Sequence, residues 1–288
     1  MSSKRIAIAA NEAEKNQNPL ISNRMLRQIY GKLVEVRAFD EHSAKMPRRI
    51  KNSAQQPSIR GQEAPRISSL IALKTGDLIS DSSLYPATEL LLGTKLRHLP
   101  KQNSTRQISS HTNKTPTQLP PIADAKVRLQ LAMGAALALK IRGQGNIVVA
   151  FVAPRELGGS AWKTVLTLAA RLELPIIFVV LPAVLKKNVS ITKVSEKARL
   201  AHVPGIPVDS SDAIALFRVM QESLGRTRGG DGPVVIECLK YTLPGQPLAE
   251  NDAIVKMGRF LLERKVCSLA ELDAICKKSQ RSLRPSRH

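Results

Sequence analysis

Two apolar runs, Ile147-Val148-Val149-Ala150-Phe151-Val152 and Pro175 to Leu181, constrain this chain more than any other feature, and Pro233 to Cys238 adds a third strand-like segment. Runs of six or seven residues with no polar face read as strands buried on both sides. Segments of helical spacing separate them: Ala125 to Arg142, closing at Gly143, then Ser160 to Leu172 and Asp212 to Leu224. Strands alternating with helices of this length imply a parallel sheet covered on both faces. The expected fold is therefore α/β, a doubly wound parallel sheet. A chain of 288 residues with 43% hydrophobic content can supply the core that such a sheet needs.

The flanking segments complete the expected organisation. Leu20, Ile21, Met25, Leu26, Ile29, Leu33, Val34 and Val36 recur at helical spacing and predict a long first helix, with Asn18 and Pro19 available to start it. His42 to Gln62 carries five basic residues (Lys45, Arg48, Arg49, Lys51, Arg60) and no acidic one, which predicts an exposed basic loop. Gln62 to Leu73 predicts a second helix, stopped by the turn Lys74-Thr75-Gly76-Asp77. Two short helices are expected between Asp252 and Lys278, the second with Ser268 and Glu271 forming a capping box. The domain reading is a disordered N-terminus over 1–18, one α/β domain over 19–276 with a mobile basic loop at about 95–121, and a basic tail over 277–288.

Charge and cysteine usage narrow the function classes. Forty-four Lys and Arg against 23 Asp and Glu leave a formal charge of +21, which attracts polyanions at low salt. With one Trp, three Tyr and five Phe, base-stacking platforms fit poorly, so nucleic-acid binding would be electrostatic, through runs such as Arg48-Arg49-Ile50-Lys51, Lys186-Lys187 and Arg281 to Arg287. Cys238, Cys267 and Cys276 show no paired spacing, which argues against a disulfide framework and a zinc site. The apolar run near Met1 is too short for a signal-peptide core, and nothing reaches the length of a membrane span. A soluble cytoplasmic protein is expected.

Other chemistry finds little support. Arg155-Glu156-Leu157-Gly158-Gly159-Ser160 joins a strand to a helix but lacks phosphate-loop spacing, and reads as a plain turn. His42, His98, His111, His202 and His288 have no metal-site spacing, and Ser82 and Ser83 sit in no nucleophile elbow. The small-residue segment around Gly134 reads as close helix packing.

The order of segments resembles the alpha subunit of the thiamine-diphosphate-dependent decarboxylase component of 2-oxo acid dehydrogenases, the pyruvate and branched-chain family. The resemblance is carried by Gly61-Gln62-Glu63-Ala64 with Gly76-Asp77, by Gly134-Ala135-Ala136-Leu137-Ala138-Leu139-Lys140 with Arg142-Gly143, and by Val148-Val149-Ala150-Phe151. Leu168-Ala169-Ala170 with Leu174 to Val179, and Asp231-Gly232-Pro233 with Glu237 and Tyr241, extend it over roughly residues 20 to 275. It implies the thiamine-diphosphate-binding type of α/β sheet, with the cofactor at the carboxyl ends of the strands.

The resemblance also implies where the family's site would fall. Its Gly-Asp-Gly turn, which supplies a Mg²⁺ ligand, matches Ala153-Pro154-Arg155, and its paired Asn matches Pro182-Ala183, flanked by Leu181 and Leu185. Its Tyr-Arg-x-x-His segment matches Ser83, Leu84 and Pro86, and its Gly-His-Ser loop matches Gly245-Gln246-Pro247. Mg²⁺ requires hard oxygen ligands, which proline and alanine side chains do not carry. Accordingly no catalytic, cofactor-binding or metal-binding residue is assigned, and thiamine diphosphate and Mg²⁺ are implied by family only. The expected role is an alpha-like pseudo-subunit, scaffold or regulator, pairing with a beta-type subunit or with itself. The alternatives are a polyanion-binding protein reusing the fold and residual 2-oxo acid dehydrogenase activity with a beta subunit.

Overall fold

A computed structural model describes residues 21–45, 58–83, 86–92, 116–157, 160–182, 194–240 and 251–282. The expected disordered N-terminus, most of the expected mobile loop and the last six residues of the expected tail lie outside them. In chain order the elements are α1 (Asn23–Lys45), α2 (Glu63–Leu70), β1 (Leu78–Ser80), α3 (Pro86–Leu91), β2 (Thr117–Gln118), α4 (Ala125–Arg142), β3 (Val148–Val152), α5 (Ser160–Arg171), β4 (Ile176–Val180), α6 (Val194–Leu200), β5 (Gly205–Asp209), α7 (Ala213–Arg228), β6 (Val234–Leu239), α8 (Ala253–Glu263) and α9 (Leu269–Ser282).

The sheet is six-stranded and wholly parallel, in the order β2-β1-β3-β4-β6-β5. Alternate side chains divide between two cores. Val149, Phe151, Ile177, Val179, Val234 and Ile236 face a core built with α1, α2, α7, α8 and α9. Val148, Ala150, Val152, Ile176, Phe178, Val180 and Val235 face the other, built with α4, α5 and α6. This is the doubly wound α/β sheet that the apolar runs predict, and every residue of β3 and β4 is buried.

Three strands were not expected. β1 and β2 are only three and two residues long, too short for a hydrophobic period to register. β2 also sits inside the stretch expected to be a mobile loop, where Leu78 and Ile79 pair with Thr117 and Gln118. β5 reads Gly-Ile-Pro-Val-Asp, and its Pro207 is tolerated because β5 pairs only with β6 and forms an edge of the sheet. Gly205 is needed there for space: a Cβ on it would lie 2.2 Å from the Ser195 carbonyl oxygen.

Local chemistry sets the element ends. α1 begins where the Ser22 Oγ accepts the Met25 N–H at 3.3 Å, so Ser22 supplies the cap that Asn18 and Pro19 were expected to provide. The helix runs through Lys45, into the stretch expected to be an exposed loop, because Arg37 anchors it to Glu63 at 2.5 Å and to Asp252 at 2.8 Å. Asp124 caps α4, and Gly143 closes it at φ +64°. The Ser268–Glu271 capping box starts α9, with Ser268 N–H donating to Glu271 Oε2 at 2.7 Å. That helix continues to Ser282, six residues into the stretch expected to fray.

One buried carboxylate ties the amino ends of the strands together. Asp77 accepts the Lys74 N–H at 2.8 Å, the Ile147 N–H at 3.1 Å and the Arg228 guanidinium at 2.5 Å. The preceding Gly76, at φ +88°, faces the Asn146 side chain at 2.7 Å from where a Cβ would stand, so only glycine makes this turn. Among the described residues, no helix is long and apolar enough to cross a membrane.

Candidate functional site at the strand ends

The chain leaves β1 outward to β2, then returns to β3 on the other side of β1. That reversal makes the carboxyl ends of β1 and β3 the topological switch point, the place where open α/β sheets form ligand crevices. Asp81 follows β1 there, and Ala153 follows β3.

Two buried ion pairs occupy the switch point. Asp81, which is 2% exposed, pairs with the fully buried Arg66 of α2 and accepts the Ser82 N–H at 2.8 Å. The Arg66 guanidinium lies 4.9 Å from the Phe151 ring centroid, adding a cation–π contact. Burial pushes the Asp81 carboxyl above its ordinary value, against the opposing pull of Arg66.

The second pair closes the turn after β3. Ala153 leads into a single 3₁₀ turn, Pro154–Glu156, whose first residue is the proline. The Glu156 carboxylate folds back to accept the Ala153 N–H at 2.8 Å and the Arg128 guanidinium at 2.6 Å. Arg128, on α4 and 1% exposed, also donates to the Ile122 carbonyl at 3.1 Å and the Phe151 carbonyl at 3.4 Å. A guanidinium therefore stands beneath this turn, already neutralised by a carboxylate from the turn itself.

At the end of β4, Leu181 and Pro182 are buried. Neither they nor Pro154 carries a side-chain oxygen. Ser83 lies just beyond β1, where its carbonyl accepts from the Gln118 amide at 3.2 Å, and Pro86 opens α3. Leu84, Ala183, Leu185, Gly158, Gly159, the segment 245–247 and the Arg155 side chain lie outside the described residues. Among the described residues, no group of three or more His, Cys, Asp or Glu could hold a metal ion. His202 is exposed at the end of α6, and Ser82 accompanies Asp81 without a histidine partner.

Sequence reasoning did not find Arg66, Asp81, Arg128 or Glu156. For Arg128 a signal was present: it precedes Ala132 and Ala136 by one and two helical repeats, so a charged residue sits on the apolar face of α4. Glu237, quoted only for the resemblance, has a structural task. Its buried carboxylate accepts the Val194 and Ser195 N–H groups at 3.0 and 2.8 Å and caps α6. Burial pushes the neighbouring Cys238 thiol up, and the Glu237 charge adds to that. A further cluster lies at the end of β5, where Lys256 Nζ donates to Asp209 at 2.8 Å and to Ser211 Oγ at 2.6 Å.

Comparison with known proteins identifies the lineage of this arrangement. Pyruvate dehydrogenase E1 component subunit alpha-3, chloroplastic, from Arabidopsis thaliana is 29% identical over 177 residues, covering 52% of this chain and 41% of that protein. The 3-methyl-2-oxobutanoate dehydrogenase subunit alpha of Mycobacterium tuberculosis is 24% identical over 269 residues, covering 91% and 72%. The pyruvate dehydrogenase E1 component subunit alpha of Staphylococcus aureus is 24% identical over 249 residues, covering 81% and 65%. The chain thus spans between 41% and 72% of the length of these three relatives. Among solved structures, benzoylformate decarboxylase from Polynucleobacter necessarius matches 68% of this chain and 35% of its own at 13% identity and a TM-score of 0.42, a likeness too low to add to the fold described above. The profile of the family described as "Dehydrogenase E1 component" matches residues 31–253, which span both ion pairs and all six strands, and the chain belongs to that family as an E1 alpha-like member.

Proposed function

We propose that this chain is an alpha-like subunit of a 2-oxo acid dehydrogenase that acts as a scaffold or regulator, pairs with a beta-type subunit, and does not itself hold thiamine diphosphate and Mg²⁺. One observation carries the reading. The turn after β3 begins with Pro154, the residue that the resemblance matches to the family's Mg²⁺ ligand and that has no side-chain oxygen, and its carboxylate, Glu156, is spent on Arg128 and the Ala153 N–H. Mg²⁺ demands near-octahedral oxygen coordination, and drawing Glu156 to the ion would leave the buried Arg128 guanidinium unpaired beside it. The residues present do not fit the ion, so no catalytic step is derived through it. What the chain's own residues do at this place is satisfy one another and hold the ends of β1 and β3 together.

Calorimetric titration of the purified full chain with thiamine diphosphate and Mg²⁺, alone and with a beta-type subunit, tests this. No Mg²⁺-dependent heat from the chain alone is the expected result. Micromolar, Mg²⁺-dependent binding by the chain alone would overturn the reading, and 2-oxo acid-dependent reduction of an artificial electron acceptor would then be assayed. A second reading, a basic surface for polyanions, is favoured by the charge of +21. It requires nucleic-acid affinity that falls steeply between low and moderate salt, and salt-insensitive or absent binding removes it.

A further inference from the structure

The two donors that hold Glu156 belong to the rigid part of the fold. Arg128 lies in the first turn of the 18-residue α4, which Asp124 caps, and its guanidinium is fixed by the Ile122 carbonyl at 3.1 Å and the Phe151 carbonyl at 3.4 Å. The Ala153 N–H directly follows β3, a strand buried at every residue. Glu156 is placed differently. It closes a single 3₁₀ turn, held by its own N–H on the Ala153 carbonyl at 2.8 Å and by the Leu157 N–H on the Pro154 carbonyl at 3.2 Å. Such turns have poorer hydrogen-bond geometry than an α-helix, so the acceptor sits on the weakest of the three elements.

The pairing is also incomplete. Arg128 Nη2 and the Ala153 N–H converge on one oxygen, Glu156 Oε2, at 2.6 and 2.8 Å. Arg128 Nε shares an edge of the guanidinium with Nη2, yet it is buried without a hydrogen-bond partner, in a residue that is 1% exposed. That edge is a fork which a carboxylate fills with both oxygens, one on each nitrogen. Glu156, tethered three residues from Ala153, fills half of it, and a buried donor left open costs free energy. Asp81, the other carboxylate that the Arg128 charge reaches, is committed to Arg66 and the Ser82 N–H. A carboxylate free to turn would satisfy Nε, Nη2 and the Ala153 N–H together, which the chain's own does not.

We propose that Arg128 Nε and Nη2 with the Ala153 N–H form a binding site for a small monocarboxylate, and that Glu156 closes it as a tethered, one-oxygen plug. Three donors, one positive charge and no acceptor select a planar monoanion over a cation. The contact is autoinhibitory: a ligand enters when Glu156 swings out, and its side chain, 10% exposed, lies at the solvent edge of the pair. The proposal rests on the reading above that this turn holds no Mg²⁺, and adds the class of ligand that it does suit.

The test replaces the plug. Glu156→Ala deletes a methylene and a carboxylate, the skeleton of acetate. Unfolding temperature and acetate affinity are measured by calorimetry for the full-length wild type, Glu156→Ala, and Arg128→Met with Glu156→Ala, in sodium acetate and in sodium chloride of equal ionic strength. Acetate at ten times its Kd should raise the unfolding temperature of Glu156→Ala by about 3 °C and leave the other two unchanged. Its Kd should be roughly tenfold or more weaker for the wild type and for the double variant. Should Glu156→Ala fail to fold in chloride, acetate present during refolding from urea should recover it.

An equal rise in all three proteins is a general salt effect and overturns the site, as does failure of acetate to recover an unfolded Glu156→Ala. Tighter binding of inorganic phosphate than of acetate by Glu156→Ala would assign the donors to another anion and displace the proposal. Each of these leaves the reading above in place. Micromolar, Mg²⁺-dependent binding of thiamine diphosphate by the wild-type chain alone would overturn both.

Discussion

Replacing Glu156 with alanine isolates the energetics of the switch point. The substitution removes the Arg128 contact at 2.6 Å and the acceptor of the Ala153 N–H at 2.8 Å. Stripping one partner from a buried pair costs about 3–5 kcal/mol, mostly because the other charge remains desolvated. Arg128 retains two carbonyl acceptors, and the Glu156 side chain is 10% exposed, so water can reach the gap. Those two facts place the expected loss at the lower end, about 3 kcal/mol. Removing both charges with Arg128→Met and Glu156→Ala should cost only about 1–2 kcal/mol, because no orphaned ion is left. Urea denaturation of the wild type, both single variants and the double variant closes the cycle, provided the m-value is unchanged. A single-variant loss below about 1 kcal/mol, or strictly additive losses, would refute the claim that the two groups neutralise each other in a desolvated turn.

Three further expectations follow from other parts of the fold. Gly205→Ala should lower stability by about 2–3 kcal/mol in thermal unfolding, because its Cβ would meet the Ser195 carbonyl oxygen at 2.2 Å and the β5–α6 packing must move. Burial alone would raise the Asp209 carboxyl, but the bonds from Lys256 and Ser211 outweigh it and hold its pKa below the ordinary 3.8. Its stabilisation is thus complete above that value and lost as pH falls through the lower folded-state value, so Asp209→Asn should be less stable than wild type at neutral pH and converge with it in acid unfolding curves. Native protein treated with a disulfide reagent at pH 8 should leave Cys238 unmodified until urea is added, and rapid modification of all three thiols would contradict its burial.

How much of this was legible in the sequence depended on whether a residue acts through periodicity or through a partner. α4 was readable from Ala125 to Arg142 because capping, apolar spacing and a closing glycine agree. β3 and β4 were readable because both their faces are buried. β1 and β2 were not, since their two or three residues acquire strand character only by hydrogen-bonding to a neighbour that is itself buried. α1 outran its apolar pattern for a related reason: the pattern fades after Val36, while Arg37 reaches Glu63 and Asp252, the latter 215 residues away. The ion pairs at the switch point join residues 15 and 28 positions apart, a relation that no local spacing encodes.

The same division explains why a family can be recognised in a chain whose site chemistry is unassigned. The matching segments, such as Val148 to Phe151 and Leu174 to Val179, are strand interiors, and the sheet requires them whatever is bound at its edge. The strand ends are under a different demand, because a turn there must satisfy its own polar groups when no ligand does so. In this chain Glu156 answers that demand for Ala153 and Arg128, and Arg66 answers it for Asp81. A turn with its donors and charges matched internally gains stability only while no ion displaces them. An anion entering beside Pro154 would have to displace the Glu156 carboxylate from Arg128 first, so removing that carboxylate frees the guanidinium for an anion and leaves a metal cation disfavoured.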